Sequence, residues 1–173
     1  FNEFDTTNPP HVYGKSKQAG ERFVNELNQH HIIVRSSWVY TARPDDLLGR
    51  ALLASAQGKT VPVPANQFAC PTSVDTFAKF VIAAMESDEF GTFHAACTGV
   101  TSRFEFFERA FALAGQPTGN LRGTANPWQG YRIELDDMMA RLTGVYEFPT
   151  WEDDLATFAA EHDLAALARG AQE

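Results

Sequence analysis

Tyr13 and Lys17 stand four residues apart. On a helix that spacing puts both side chains on one face, one turn from each other. A phenol beside an ammonium is a proton-transfer device. Tyrosine alone keeps its proton up to a pKa of about 10, and a neighbouring positive charge favours the phenolate. A shift of about two or three units is worth roughly 3–4 kcal/mol and brings the phenol into the range of acid–base work near neutral pH. The pair alone is weak evidence. Four Tyr are present, and Tyr-x-x-x-Lys arises by accident in roughly one such chain in five. The ordinary alternative is a solvated pair on an exposed helix.

The surroundings sharpen the reading. Pro9-Pro10 brings the chain in extended and delays the helix start. The spacing predicts a helix over 12–29, with Ala19, Phe23, Val24 and Leu27 on its buried side. Gly14 and Gly20 lie inside it, each costing about 1 kcal/mol against Ala. Two such losses imply that something comes close to the helix backbone. His31-Ile32-Ile33-Val34-Arg35 is a β-branched run that predicts a buried strand over 31–37. A helix followed by a buried strand is half of an α/β unit.

Glu3, Pro9-Pro10, Tyr13-Gly14-x-Ser16-Lys17-x-x-Gly20-Glu21 and Arg35-Ser36-Ser37-Trp38-Val39-Tyr40 resemble, in that order, the active-site segment of extended short-chain dehydrogenases/reductases that act on nucleotide sugars. The match is nearest to the branch that reduces dTDP-4-dehydrorhamnose; the epimerases tend to carry Asn before the Val-Tyr. Asn66–Thr72, Gly91-Thr92-Phe93-His94, Ser102-Arg103-Phe104-Glu105-Phe106 and Pro149-Thr150-Trp151-x-x-x-Leu155 extend the resemblance over most of the chain. It implies an α/β fold: the C-terminal portion of a Rossmann-like extended short-chain dehydrogenase with a small α+β substrate-binding domain, the N-terminal cofactor-binding half missing. Residues 1–40 are then the end of the Rossmann-like domain. Residues 41–173 are mainly the substrate-binding domain, with segments returning to the Rossmann core.

The same resemblance implies the chemistry. A nicotinamide cofactor, NADPH or NADH, delivers hydride to the keto carbon of a nucleotide sugar. Tyr13 protonates the resulting alkoxide. Lys17 lowers the pKa of Tyr13 and hydrogen-bonds the nicotinamide ribose. Trp38 matches the tryptophan that lies against the substrate nucleotide, although it could instead anchor the loop after the strand. Ser36 and Ser37 sit where open α/β sheets bind ligands; they either line the nicotinamide pocket or satisfy the strand end. Arg35 reads as a phosphate contact or, in preference, as a salt-bridged residue. The family's upstream Ser/Thr is absent, as is its Arg-Pro before the last helices, near Asn126-Pro127-Trp128-Gln129-Gly130. Asn66 and Ala69 replace the usual Asp and Gly of their motif. Some members hold magnesium through scattered carboxylates at a dimer interface, and a homodimer is a further expectation. Two other functions fit the same pattern: a non-catalytic regulatory subunit resembling the β subunit of methionine adenosyltransferase, and an epimerase or dehydratase acting on another nucleotide sugar.

Composition excludes other classes. The 173 residues are 44% hydrophobic, with 14 Phe, enough for a real core. The formal net charge is −8, and the 14 Lys and Arg are scattered. That argues against nucleic acid or an anionic membrane as partner. No apolar run is long enough to span a bilayer, and no signal-peptide pattern occurs. Cys70 and Cys97 lack metal-ligand spacing and read as reduced thiols of a cytoplasmic protein.

The positioning elements follow from pattern. Asp45 or Asp46 caps a helix with Leu47, Leu48, Ala51 and Leu52 that ends at Gly58. Residues 60–73 read as loop with small strands. Val74, Phe77, Ala78, Val81, Ile82 and Met85 mark a helix stripe, and 91–96 a strand. Ser102-x-x-Glu105 is a capping box opening a helix with Phe104, Phe107 and Phe111. Residues 116–133 are the least legible. A short helix ends at Gly144, and Thr150-x-x-Asp153 opens the last. His30 and His31 read as helix-end residues, and His94 as a core histidine.

Phe1-Asn2-Glu3-Phe4-Asp5 resembles the loop that enters the catalytic helix, and no glycine-rich phosphate loop precedes or follows it. The expectation is the C-terminal part of a longer enzyme. By itself the chain is then expected to bind NADPH weakly or not at all, with no turnover. Calorimetry that gave micromolar binding to the isolated chain would contradict this.

Overall fold

The computed structural model describes residues 1–125, 127 and 129–169. In chain order the elements are α1 (Val12–Leu27), β1 (Ile32–Ser36), β2 (Val39–Tyr40), α2 (Leu47–Ala56), β3 (Val61–Pro64), β4 (Gln67–Ala69), β5 (Thr72–Ser73), α3 (Val74–Glu86), β6 (Gly91–Ala95), β7 (Thr101–Ser102), α4 (Arg103–Leu113), β8 (Leu121–Thr124), β9 (Tyr131–Arg132), α5 (Met138–Thr143), α6 (Trp151–Glu161) and α7 (Leu164–Arg169). The fold is α/β, as expected.

Strand pairing joins residues far apart in sequence. β1 runs parallel to β6, with Ile32 opposite Gly91 and Ser36 opposite Ala95. β2 runs parallel to β5, and β3 to β8. β4 pairs antiparallel with β7 and parallel with β9. Parallel pairs need long crossovers, and the intervening helices supply them.

Local signals set the helix ends. Asp46, Ser73, Ser102 and Thr150 cap α2, α3, α4 and α6, each accepting from a first-turn amide. Each such cap is worth about 1 kcal/mol. Ser102 and Glu105 complete the capping box in both directions. Gly58, Gly115 and Gly144 follow α2, α4 and α5 with φ of 72°, 64° and 71°, left-handed backbone that favours glycine.

Two apolar clusters form. The larger packs Leu52, Phe106, Phe111, Leu155, Phe158 and Leu164 from α2, α4, α6 and α7. The smaller packs Phe80, Ala84, Phe93, Ala95, Ala140 and Phe148, with Ile32 and Val34 of β1 against it. Cys70 and Cys97 are free and buried.

Two carboxylates are buried among the described residues, Glu3 and Asp154. Asp154 of α6 is 3% exposed. Its Oδ2 accepts the Tyr40 hydroxyl and the Ser73 amide, both at 2.7 Å. Its Oδ1 accepts the Ser73 hydroxyl at 2.8 Å and the Thr76 hydroxyl at 2.5 Å. Burial and this carboxylate push the Tyr40 phenol far above its ordinary range, so it stays a donor. The same two causes push up the Cys97 thiol. One side chain of α6 therefore ties down β2, β5 and the start of α3.

Three expectations are corrected. No residue of α1 is buried: Phe23 is 53% exposed and Leu27 84%. Among the described residues nothing covers that face, so its apolar periodicity found no partner. On α3 the buried residues are Thr76, Phe80 and Ala84, whereas Ile82 and Met85 are exposed. Apolar residues occupy more than half of this helix's circumference, and the β1–β6 pair selects the face that meets Phe93. On α4, Phe106 is buried besides Phe107 and Phe111, because α4 packs against both β3 and α6.

Replacing Asp154→Asn strips several buried donors of a charged acceptor, at about 1–3 kcal/mol each. Urea unfolding of this variant is expected to show a loss of about 3–5 kcal/mol. A loss below about 1 kcal/mol would mean that the network does not hold these elements together.

Candidate active site

α1 enters from the extended loop at Thr7–Pro10, and the two are locked together. Gln18 Nε2 donates to the Thr7 carbonyl at 3.0 Å and the Thr7 hydroxyl at 2.6 Å. A Cβ on Gly14 would lie 2.6 Å from the Cβ of Pro9. Gly14 thus lets the loop ride on the helix, the close approach that its presence implied. Gly20 has nothing within 4 Å of where a Cβ would go, so that part of the expectation fails.

α1 is held to β1 by a fork. Arg35 Nε and Nη2 donate to the two carboxylate oxygens of Glu21 at 3.0 and 2.7 Å. This bidentate pair makes Arg35 the salt-bridged residue favoured above. Glu3 fastens the preceding loop: its Oε1 accepts the His94 amide at 3.0 Å and the Met139 amide at 3.2 Å. His94 is buried, and its Nδ1–H donates to the Asp136 carbonyl at 3.0 Å; burial keeps its imidazole below the usual range.

On this frame Tyr13 and Lys17 share one face. Lys17 Nζ lies 5.5 Å from the centroid of the Tyr13 ring. Tyr13 is 75% exposed. Lys17, Gly14 and Glu21 line a cleft of about 570 Å³ that runs past Pro9 and Pro10 to Arg35 and Arg132. Ser36, at the end of β1, is exposed. Ser37 turns inward, and its hydroxyl accepts the Cys70 amide at 3.1 Å.

Trp38 begins a second constellation. Its carbonyl accepts the Thr72 amide at 2.8 Å, which fixes its backbone beside the β2–β5 pair. Thr72 in turn uses its hydroxyl to accept the Cys97 amide at 2.9 Å. The Trp38 indole Nε1 donates to the Tyr131 hydroxyl at 2.9 Å. The Arg103 guanidinium lies over the indole, 4.2 Å from a ring centroid. β9 links the two constellations, since Tyr131 holds Trp38 and Arg132 lines the Lys17 cleft.

Tyr131, Arg132 and Arg103 escaped the sequence reading. The first two lie in the least legible stretch. Arg103 directly follows the capping serine, a position read for helix entry alone. Of Asn126–Gly130, Asn126 and Trp128 lie outside the described residues. The Gln129 carbonyl accepts Gln67 Nε2 at 3.2 Å.

Among the described residues, Asp75, Glu161 and His162 bring three ligand atoms within 4.8 Å of one another. His162 Nε2 meets Asp75 Oδ2 at 2.5 Å, and the imidazole stacks on Phe158 with 4.4 Å between ring centroids. Magnesium asks for an oxygen shell of near-octahedral geometry. An imidazole already engaged with one of the two carboxylates does not fit that demand, so no magnesium chemistry is assigned here.

A family model described as the RmlD substrate binding domain matches residues 1–164. The chain is 33% identical over 124 residues to the dTDP-4-dehydrorhamnose reductase of Sinorhizobium fredii, covering 68% of this chain and 42% of that protein. It superposes on a crystal structure of dTDP-4-dehydrorhamnose reductase from Bacillus anthracis in complex with NADP, with a TM-score of 0.84 and 29% identity, over 92% of this chain and 59% of that one. A UDP-N-acetylglucosamine 4-epimerase from Bacillus cereus superposes over 100% of this chain and 59% of the epimerase, with a TM-score of 0.77, but at 18% identity it shows a shared fold alone. The chain spans about half the length of the curated relatives it matches.

The two glycines of α1 make opposite predictions. Gly14→Ala forces the Pro9 loop off the helix and is expected to lower the melting temperature. Gly20→Ala meets open space and is expected to add about 0.5–1 kcal/mol. Thermal melts of both variants check this; an equal response would mean that the loop does not seat on Gly14.

Proposed function

Because this chain belongs to the RmlD substrate-binding-domain family, we propose that it works within a reductase that converts a 4-keto nucleotide sugar, dTDP-4-dehydro-L-rhamnose, to dTDP-L-rhamnose with NADPH. Tyr13 and Lys17 are its catalytic pair. Residues 1–40 contribute the end of the cofactor-binding domain, and residues 41–173 mainly the substrate domain. The observation that carries the reading is the Lys17 ammonium beside the Tyr13 ring, on an exposed helix face bordering a cleft.

These residues fit a nicotinamide cofactor. Among the described residues Lys17 forms no ion pair, and its one contact of this kind is the Tyr13 ring. Its remaining N–H donors are available to ribose hydroxyls. Ser36 is exposed at the end of β1, where it can face the same ligand. When bound, the cofactor supplies hydride.

This chain's own residues do the rest. The Tyr13 hydroxyl donates its proton to the oxygen of the reduced carbonyl. Lys17 favours the resulting phenolate and so eases the transfer. Trp38 offers a flat surface for the nucleotide base, where stacking is worth roughly 1–3 kcal/mol. The Glu21–Arg35 fork and the Pro9–Gly14 contact fix the height and rotation of α1, which matters because misplacement of a catalytic group by about 1 Å can cost about 100-fold in rate. The exposed Phe23 and Leu27 of α1 support burial of this helix against more polypeptide, from the rest of the parent protein or from a second copy. Among the described residues no helix is long and apolar enough to cross a membrane.

In the full-length protein Tyr13→Phe is expected to cut NADPH oxidation on the keto sugar by about 10²–10⁴-fold, with KM nearly unchanged. Lys17→Met is expected to raise the KM for NADPH, since the ammonium donors are no longer available to the ribose hydroxyls. An unaltered rate in Tyr13→Phe would remove the proton-donor role.

A further inference from the structure

Arg103 has no role in the chemistry above, yet its surroundings are unusual for a cation. It is the first residue of α4, held in place by the Ser102–Glu105 capping box. It is half-buried, and its Nε is fully buried with no hydrogen-bond partner. Among the described residues it makes no ion pair; its one such contact is the Trp38 indole, 4.2 Å away. The nearest carboxylate lining the same small pocket is Asp46. Both Asp46 oxygens are already engaged, by Thr41 and by the Leu47 amide. The pocket between Trp38 and Arg103 adjoins a larger groove of about 230 Å³ along β3. A second cation, Arg50, lines that groove and likewise forms no ion pair among the described residues. In a chain of net charge −8, a half-buried guanidinium whose Nε is buried without a partner is costly unless a ligand completes it.

A guanidinium stacked on an indole keeps its N–H donors in the plane of the stack, pointing outward. Planar forked donors match the oxygens of a phosphate, which they can hold through two parallel bonds. We propose that Arg103 is the phosphate-binding residue of a nucleotide subsite built around Trp38, receiving the diphosphate of the nucleotide whose base lies against that indole. The proposal rests on the nucleotide-sugar reading of the preceding subsection and deepens it by naming the residue that recognises the charged part of the substrate. Arg103 acts in binding and takes no part in proton transfer. Arg50, on the groove wall, reinforces the positive potential without touching Trp38.

Calorimetry on the full-length protein, with thymidine and dTDP as probes, tests this. The unmodified protein is expected to bind dTDP more tightly than thymidine, by a margin that shrinks as sodium chloride is raised. Arg103→Met is expected to weaken dTDP about 10–100-fold and to leave thymidine within about threefold. Arg103→Lys keeps the charge and the apolar stem but not the fork. It is the variant to rely on if Arg103→Met does not fold, and it is expected to lose part of the dTDP margin. If both variants keep the dTDP-to-thymidine ratio, or lose both ligands equally, Arg103 merely props up Trp38 and the proposal falls while the nucleotide-sugar reading stands. If the unmodified protein binds neither probe, the nucleotide-sugar reading fails and this proposal goes with it.

Discussion

The buried carboxylate of Asp154 governs where the Trp38 indole ends up. Asp154 takes four hydrogen bonds, from the Tyr40 hydroxyl, the Ser73 amide and hydroxyl, and the Thr76 hydroxyl. A carboxylate this deep is tolerable only because every nearby donor is turned toward it. Once it is satisfied, β2 and β5 cannot slide against each other. Trp38, Thr72 and Tyr40 sit on or beside that pair, so the indole inherits its position from a side chain more than a hundred residues further on. The same anchoring leaves Cys97 packed next to the network with its thiol held protonated, a structural cysteine and not a reactive one.

Helix α1, which carries Tyr13 and Lys17, is positioned by different means. It has no buried face among the described residues and relies on a few specific contacts. Glycine gives Pro9 room to sit on the helix, Gln18 clasps Thr7, and the Glu21–Arg35 fork ties α1 to β1. Such a helix is accurately oriented yet weakly cored. Its Phe23 and Leu27 stay exposed. Free solvation of so much apolar surface would be unfavourable at about 25 cal/mol per Å².

The two halves of the site meet at β9. Tyr131 hydrogen-bonds the indole of Trp38, while Arg132 faces the cleft beside Lys17. β9 pairs with β4; Gln67 of β4 and Asn66 just before it hold the chain at the start of β9. A two-residue strand thereby joins the Trp38 constellation to the Lys17 cleft.

Much of this was legible in the residues themselves. The Tyr13–Lys17 spacing, the caps at Asp46, Ser102 and Thr150, the glycine stops and the strand before Ser36 are written in local chemistry, because helix periodicity, capping and turn formation depend on neighbours a few positions away. The choice of buried face on α3, the solvation of α1 and the burial of Asp154 were not legible. Each depends on which distant element arrives, and a carboxylate in a first helical turn looks the same whether it faces water or four donors. The same holds for Arg103 on Trp38 and for Tyr131: sequence supplied a cation at a helix start and a tyrosine in an unreadable loop. Only the tertiary packing of α4 and β9 around one indole turned them into a site, since contacts across tens of residues are set by how the elements fit together and not by the spacing within any one of them.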